Sequence, residues 1–248
     1  MKEPTTYFGY ERVLTAEKTT KVKSVFDSVA SNYDLMNDLM SFGMHRLWKK
    51  IAISCCNIQS GQKVLDLAGG TGDLTIELIK LLGSSGHVVL ADINYDMLHI
   101  GRKKIINKGI LSQVSYLQAD AENLPILSNT FDCVCIGFGL RNVTDTEQAL
   151  REIYRTLKPG GRLVILEFSH PTSPILKSIY DAYSFSFLPL LGKIVTNDWK
   201  SYQYLVESIR MHHTQIDLKN IMEDIGFERC KYINMHAGIC AIHQGFKF

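Results

Sequence analysis

Between Lys63 and Phe168 the chain alternates short, wholly apolar runs with longer stretches of helical period. Lys63–Ala68 (KVLDLA) reads as a buried strand, followed by a glycine-rich turn and a helix through about Leu82. Gly83–Gly86 break that helix, and His87–Ala91 (HVVLA) is a second strand. Asn94 is placed to cap a helix running to about Lys108, because its short side chain can accept from a free N–H of the first turn. Val114–Gln118 and Phe131–Gly137 (FDCVCIG) are the third and fourth strands. Thr144 or Asp145 opens a helix that must stop before Pro159-Gly160-Gly161, since proline excludes helix from the residue before it. Arg162–Phe168 (RLVILEF) is the fifth strand. Strands that are apolar throughout and separated by helices predict a parallel sheet covered on both faces, an α/β doubly wound fold.

The pattern changes towards the C-terminus. Thr214 with Asp217 predicts a capped helix ending at Gly226. Arg229–Met235 and Gly238–Gln244 then form two strand-like runs joined around His236-Ala237, a connection so short that it forces an antiparallel pair. A mostly parallel Rossmann-like sheet finished by a C-terminal antiparallel strand resembles the class I methyltransferases, which use S-adenosylmethionine. Ser169–His213 fits neither regular pattern, and about 60 residues precede the first core strand. The expected organisation is one domain, 1–248. It comprises an N-terminal helical cover (1–60), a cofactor-binding core (61–168), a substrate-lid insertion (169–213) and a closing helix and strand pair (214–248).

Composition narrows the classes. The 248 residues are 46% hydrophobic and 21% charged, which excludes disorder and coiled coil. Lys plus Arg is 27 against 25 Asp plus Glu, a net +2 that supplies no field for a nucleic-acid backbone. None of the six cysteines forms C-x-x-C or a zinc-like cluster with histidine, so reduced and mostly buried thiols and no metal are expected. The N-terminus has no apolar signal core and no stretch approaches the ~20 apolar residues of a membrane span, so the expected location is the cytoplasm.

The candidate chemistry starts where the first strand runs into Asp66-Leu67-Ala68-Gly69-Gly70-Thr71-Gly72-Asp73. Such a turn lets a ligand approach the backbone closely. The dinucleotide fingerprint fails, because Thr75 stands where its third glycine belongs, and the G-K-[ST] ending of a phosphate loop is absent. Asp92 closes the second strand, where a carboxylate can accept from both hydroxyls of a ribose. Asp120 follows the third strand, where the resemblance to class I methyltransferases implies an acid that takes the adenine amino group. Two acids at strand carboxyl ends beside a glycine loop favour a nucleoside site over helix capping. Tyr154-x-x-x-Lys158 matches the dehydrogenase Tyr/Lys spacing, but Pro159 ends the helix directly after Lys158 and the matching N-terminal loop is missing.

Three further segments carry a more specific likeness. They are Tyr33-Asp34-Leu35-Met36-Asn37-Asp38-Leu39-Met40-Ser41 with His45 and Trp48, Gly137-Phe138-Gly139-Leu140-Arg141-Asn142-Val143-Thr144-Asp145, and Ala149-Leu150-Arg151-Glu152 through Lys158-Pro159-Gly160-Gly161. Together they resemble the C-methyltransferases of ubiquinone and menaquinone biosynthesis along nearly the whole chain. The resemblance implies transfer of the sulfonium methyl of S-adenosylmethionine to a ring carbon of 2-methoxy-6-polyprenyl-1,4-benzoquinol, of demethylmenaquinol, or of both. Its implied cofactor contacts are Asp66, Gly70, Thr71, Gly72, Asp92, Asp120, Ala121 and Gly137. Two positions depart from the pattern: Ala68 stands for a frequent glycine, and Gly137 for a frequent serine. The implied partners are the polyprenyl quinol, a second copy of the chain, other quinone-pathway enzymes and the inner membrane surface.

The chemistry itself needs little. A quinol ring is electron-rich and the sulfonium carries its own leaving group, so positioning and stabilisation of phenolate character should dominate. Arg141, Asn142 and Tyr33 are the candidate catalytic residues. Arg141 would stabilise a phenolate or orient a water, and Asn142 would hydrogen-bond a ring oxygen; the structural alternative pairs Arg141 with Asp145. His45 and Trp48 are expected to pack, and His212-His213 to lie on the surface. Tyr180–Leu191, rich in aromatic and leucine residues, is expected to form an apolar lid for the prenyl tail. The competing readings are a methyltransferase of another small phenol or lipid, an NAD(P)H oxidoreductase, and a non-catalytic quinone-binding subunit.

Overall fold

The computed structural model describes residues 4–29, 37–38, 41, 43–174, 178, 180 and 199–248. Tyr33 and the greater part of the expected lid, Tyr180–Leu191, lie outside the described residues.

The four apolar strands of the core form where the pattern predicts: β3 (Lys63–Leu67), β4 (His87–Asp92), β5 (Val114–Gln118) and β6 (Phe131–Gly137). They pair in parallel, and β7 (Leu157–Phe168) joins β6 in parallel as well. Two later strands, β8 (Glu228–Met235) and β9 (Cys240–Phe246), complete a seven-stranded sheet of order β5-β4-β3-β6-β7-β9-β8. Both β7–β9 and β8–β9 are antiparallel, as the short His236-Ala237 connection requires. The order reverses between β3 and β6, so the carboxyl ends of β3, β4 and β6 frame the crevice where a doubly wound sheet binds its ligand.

Helices cover both faces. On one side α2 (His45–Cys56), α3 (Asp73–Leu82) and α6 (Trp199–Met211) bury Trp48, Leu78, Tyr202 and Leu205 against the sheet. On the other, α5 (Thr146–Thr156) and α7 (Gln215–Ile225) contribute Leu150, Ile153, Leu218 and Met222. Helix α4 (Tyr95–Asn107) closes the β4 side with Leu98 and Ile105. The caps are those that the sequence offers: Asn94, Asp145 and Thr214 accept from Met97, Gln148 and Asp217 N–H groups, and Gly226 ends α7 in the left-handed region. All six cysteines are free and five are buried. His45 and Trp48 are buried, and the Trp48 indole donates to His236 Nδ1 at 2.8 Å.

Three features differ from the sequence expectation. The N-terminal cover is not wholly helical: β1 (Thr5–Phe8) and β2 (Glu11–Leu14) form a hairpin before α1 (Thr15–Val29). Phe8 pairs with Glu11, which leaves Gly9-Tyr10 as a two-residue turn with Gly9 at φ 58°. Residues 199–211, assigned to the lid insertion, are instead the regular helix α6. Tyr202, Leu205, Val206 and Ile209 follow the helical period and all are buried. Finally, β7 begins at Leu157, before the Pro159-Gly160-Gly161 turn. It pairs once with Phe131, bulges over Lys158–Gly161 and resumes at Arg162 opposite Cys133.

Candidate active site

A cleft of about 770 Å³, including its open mouth, lies across the carboxyl ends of β3, β4, β5 and β6. Its floor is Leu67, Ala68 and Gly70, and one wall is Asp92, Ile93, Asn94 and Met97. Ala119, Asp120, Ala121 and Glu122 continue the wall, and Phe138, Gly139 and Asn142 to Thr144 close the far side. Helix α1 supplies the roof through Thr19, Val22, Lys23 and Phe26. Hydrogen bonds from both walls dock that roof. The Lys18 ammonium donates to the Val143 carbonyl at 2.9 Å, and Asn94 Nδ2 donates to Asp27 Oδ1 at 2.7 Å. Burial lowers the Lys18 pKa, against the opposing pull of Glu122.

The glycine loop is held by the ends of its neighbours. Gly70 N–H donates to Asp92 Oδ2 and Asn94 N–H to Asp92 Oδ1, both at 2.8 Å. A carboxylate has about four acceptor directions, so Asp92 keeps room for a further donor. Burial pushes the Asp92 carboxyl up to about 6, although the N–H groups of Asn94 and Gly70 oppose it. Asp66 lies deeper. It is fully buried beneath the loop, accepts from Thr75 Oγ1 at 2.6 Å, and burial pushes its carboxyl up to about 7. Behind the loop, Asp73 opens α3 between Lys49 and Lys104, each at 2.6 Å. Burial works to raise the Asp73 pKa, but the two ammonium groups overcome it and hold it at about 2.

Glu122 joins the β5 and β6 exits, its Oε1 accepting from Thr144 N–H at 2.7 Å and Asp145 N–H at 3.0 Å. Asp120 is exposed in the open cleft, and its Oδ1 accepts from Glu122 N–H at 2.9 Å. Beyond β6, Leu140–Asn142 make one turn of 3₁₀ helix. Arg141 turns inward there, its side chain 1% exposed, and pairs at 2.7 Å with Glu167 of β7 rather than with Asp145. Its Nη1 also donates to Phe138 O at 2.6 Å. Asn142 faces the cleft, and its Oδ1 accepts from the Tyr204 hydroxyl at 3.0 Å.

A second cavity of about 580 Å³ lies on the other side of the Arg141–Thr144 segment, with Lys18, Tyr204, Ser208 and His212 in its wall. His212 is therefore not a surface residue. It is 9% exposed at the end of α6, where its carbonyl accepts from His170 Nε2 at 2.9 Å. Burial first, then the nearby His213 and Arg141, holds its imidazole well below the usual histidine range. Among the described residues no group of three or more His, Cys, Asp or Glu side chains is arranged to hold a metal ion.

Comparison with known proteins decides what this cleft belongs to. The family model described as the ubiE/COQ5 methyltransferase family matches residues 14–247. The chain belongs to the ubiE/COQ5 methyltransferase family. Relatives named ubiquinone/menaquinone biosynthesis C-methyltransferase UbiE support this at full length. That of Pseudomonas paraeruginosa is 59% identical over 99% of this chain and 96% of its own. That of Pseudomonas aeruginosa strain LESB58 is 58% identical over the same shares, 99% and 96%. Solved S-adenosylmethionine-dependent methyltransferases share the fold. One from Thermotoga maritima gives a TM-score of 0.64 at 21% identity, over 92% of this chain and 100% of that one. One from Aquifex aeolicus gives 0.60 at 18% identity, over 81% and 89%.

For a member of the ubiE/COQ5 family, the cleft suits an adenosyl ligand on its own chemistry. It offers an acidic acceptor pair at Asp92, an open carboxylate at Asp120, and backbone left bare at Gly70. Of the predicted contacts, Gly70, Asp92, Asp120 and Ala121 line it, and so does Asn142. Asp66 supports the loop from below, while Thr71 is buried and Gly72 opens α3 behind it. A Cβ at Gly137 would lie 2.7 Å from Leu74 Cδ1, so a side chain at this position is directed at α3 rather than into the cleft. Sequence reasoning expected a helical cover within residues 1–60 but named none of the α1 roof residues, and it missed Met97, Glu122 and Glu167. The α1 signal was present, since Val22 and Phe26 recur at helical spacing after the hairpin turn.

The Ala68 departure has a structural counterpart. Ala68 sits at φ 53°, a conformation that costs an L-residue about 1 kcal/mol, and its methyl faces Gly139. A Cβ on Gly139 would stand 2.5 Å from Ala68 Cβ, which has no rotamer to retreat into. Gly139→Ala is therefore expected to weaken S-adenosylmethionine binding about tenfold, an overpacking effect of ordinary size. In an Ala68→Gly background the loss should shrink below about threefold. Titration calorimetry on the four proteins checks this, and equal losses in both backgrounds would mean that the two positions do not compete for space.

Proposed function

We propose that this chain is a C-methyltransferase of ubiquinone/menaquinone biosynthesis, acting on the ring carbon of 2-methoxy-6-polyprenyl-1,4-benzoquinol, of demethylmenaquinol, or of both. The observation that carries the reading is 58–59% identity over 99% of the chain with relatives of that name. When bound, S-adenosylmethionine supplies a methyl group on a sulfonium centre that leaves as a neutral thioether.

The chain's own residues supply binding, orientation and electrostatics. Asp92 accepts from the ribose hydroxyls with the lone pairs that Gly70 and Asn94 leave uncommitted. Asp120 accepts an adenine amino group, with Ala121 beside it. Asn142 donates to a ring oxygen of the quinol, stabilising negative charge as the adjacent carbon becomes nucleophilic. Arg141 is held by Glu167 and acts on the same oxygen through its positive field or a bound water; a guanidinium keeps its proton and does not itself act as a base. Tyr33 completes the candidate set as a cofactor cover or hydroxyl partner.

The reading also carries a homodimer, contact with other quinone-pathway enzymes and a cytoplasmic place at the membrane surface, which follow from the family resemblance. Among the described residues no helix is long and apolar enough to cross a membrane. The decisive experiment introduces the gene into a strain lacking its quinone C-methyltransferase and profiles the quinones. Restored ubiquinone or menaquinone is the expected result. Persistent demethylated precursor, with folded protein present, would reject the assignment.

A further inference from the structure

Asn142 has two ends with different chemistry, and a ring oxygen gaining negative charge can use only one of them. Its amide NH₂ donates, whereas its carbonyl oxygen would repel the charge. Which end faces the cleft is settled by whatever binds the other. The one hydrogen bond of this side chain runs from the Tyr204 hydroxyl to Asn142 Oδ1 at 3.0 Å, and among the described residues Nδ2 has no protein partner. We propose that Tyr204 is a positioning residue for methyl transfer, which pins the Asn142 carbonyl and so turns its NH₂ towards the acceptor's ring oxygen.

The surroundings hold Tyr204 in place. It is 5% exposed, and its ring stacks on Phe8 of the N-terminal hairpin with centroids 4.2 Å apart. Burial raises its phenol pKa above the ordinary value, so the hydroxyl carries its proton at neutral pH and can donate. The ring is fixed between the hairpin and the 3₁₀ turn at Leu140–Asn142, which keeps its hydroxyl at Asn142 Oδ1. The N-terminal hairpin thus has a place in the site: it clamps the residue that orients Asn142.

The inference rests on the reading that Asn142 touches the acceptor, and the test separates the two. Tyr204→Phe removes the hydroxyl and keeps the stack on Phe8. In single-turnover assays with a short-chain quinol, its rate is expected to fall about tenfold, with cofactor affinity and thermal midpoint nearly unchanged. Asn142→Ala should be slower still, and adding Tyr204→Phe to it should change nothing further. Asn142→Asp, which keeps the acceptor for Tyr204 but has no N–H to give, should be as slow as Asn142→Ala. A Tyr204→Phe rate within twofold of wild type, or losses that multiply in the double variant, would overturn the positioning role alone. Wild-type rates for Asn142→Ala would overturn it together with the assignment of Asn142.

Discussion

Replacing Arg141 by alanine should lower the unfolding free energy by about 3–5 kcal/mol, the usual cost of stranding one member of a buried ion pair. The stranded group is Glu167, which is 2% exposed in the middle of the sheet. Its Oε1 accepts from Arg141 Nη1 at 2.7 Å and from Phe168 N–H at 2.9 Å, and Oε2 from Arg141 N–H at 3.2 Å. Without the guanidinium, two backbone N–H groups remain to hold a full charge. Single-turnover methylation, measured where the variant is still folded, is expected to drop about 100-fold, as loss of electrostatic stabilisation commonly does. The double variant Arg141→Met with Glu167→Gln separates the two roles. Urea unfolding should recover most of the lost stability, because replacing both partners leaves no buried charge stranded. The rate should stay low. Recovery of both would make Arg141 a purely structural residue.

Asp92→Ala is expected to weaken S-adenosylmethionine binding by ~2–4 kcal/mol, or about 30-fold to roughly 1,000-fold in Kd. The same carboxylate fixes the pH response. Its pKa in the free protein is pushed up to about 6, so it loses its charge as the pH falls through that value. Binding should weaken below pH 6 by at most about tenfold per unit, and the slope should vanish in Asp92→Asn. The stability term has the opposite sign. With a folded pKa above the unfolded ~3.9, ionised Asp92 destabilises the free protein at neutral pH, and that penalty is relieved as the pH falls from about 6 towards 4. Calorimetry between pH 5 and 8 tests the first effect, and an unchanged Kd for Asp92→Ala would remove this residue from the site.

The parts that were legible in the sequence are those where local pattern and global position agree. β3, β4 and β6 are largely buried on both faces, so they read as nearly continuous apolar runs and stand out in the sequence. Asp92 and Asp120 could be placed because strand ends in such a sheet converge on one crevice. Other parts depend on contacts between distant residues. Arg141 lies 26 positions from Glu167, and nothing in RLVILEF marks the one acid as a partner rather than the end of a strand. Tyr204 lies 62 positions from Asn142, in a helix whose period was obscured by the irregular aromatic stretch before it. His212 follows an amphipathic helix and carries a polar name, but the packing of His170 against its backbone draws it inside. The Thr5–Phe8 run of β-branched and aromatic residues before Gly9 was a usable hairpin signal.

The insertion of β9 between β7 and β8 constrains how the chain can be made. Synthesis delivers β7, then α6, α7 and β8, and only afterwards the strand that both β7 and β8 need as a neighbour. Until Cys240–Phe246 has emerged, β7 presents an unpaired edge and β8 has nothing to pair with. The last link is Lys247, whose backbone exchanges hydrogen bonds with Gly160 and Gly161 at 2.7 and 2.9 Å and whose ammonium reaches the Tyr154 and Leu157 carbonyls. On the ribosome the β5-β4-β3-β6-β7 half can assemble early, yet it must wait with an exposed template for strand addition. Fragments cut short before Cys240 carry that open edge permanently, and chaperone capture or aggregation is their expected fate.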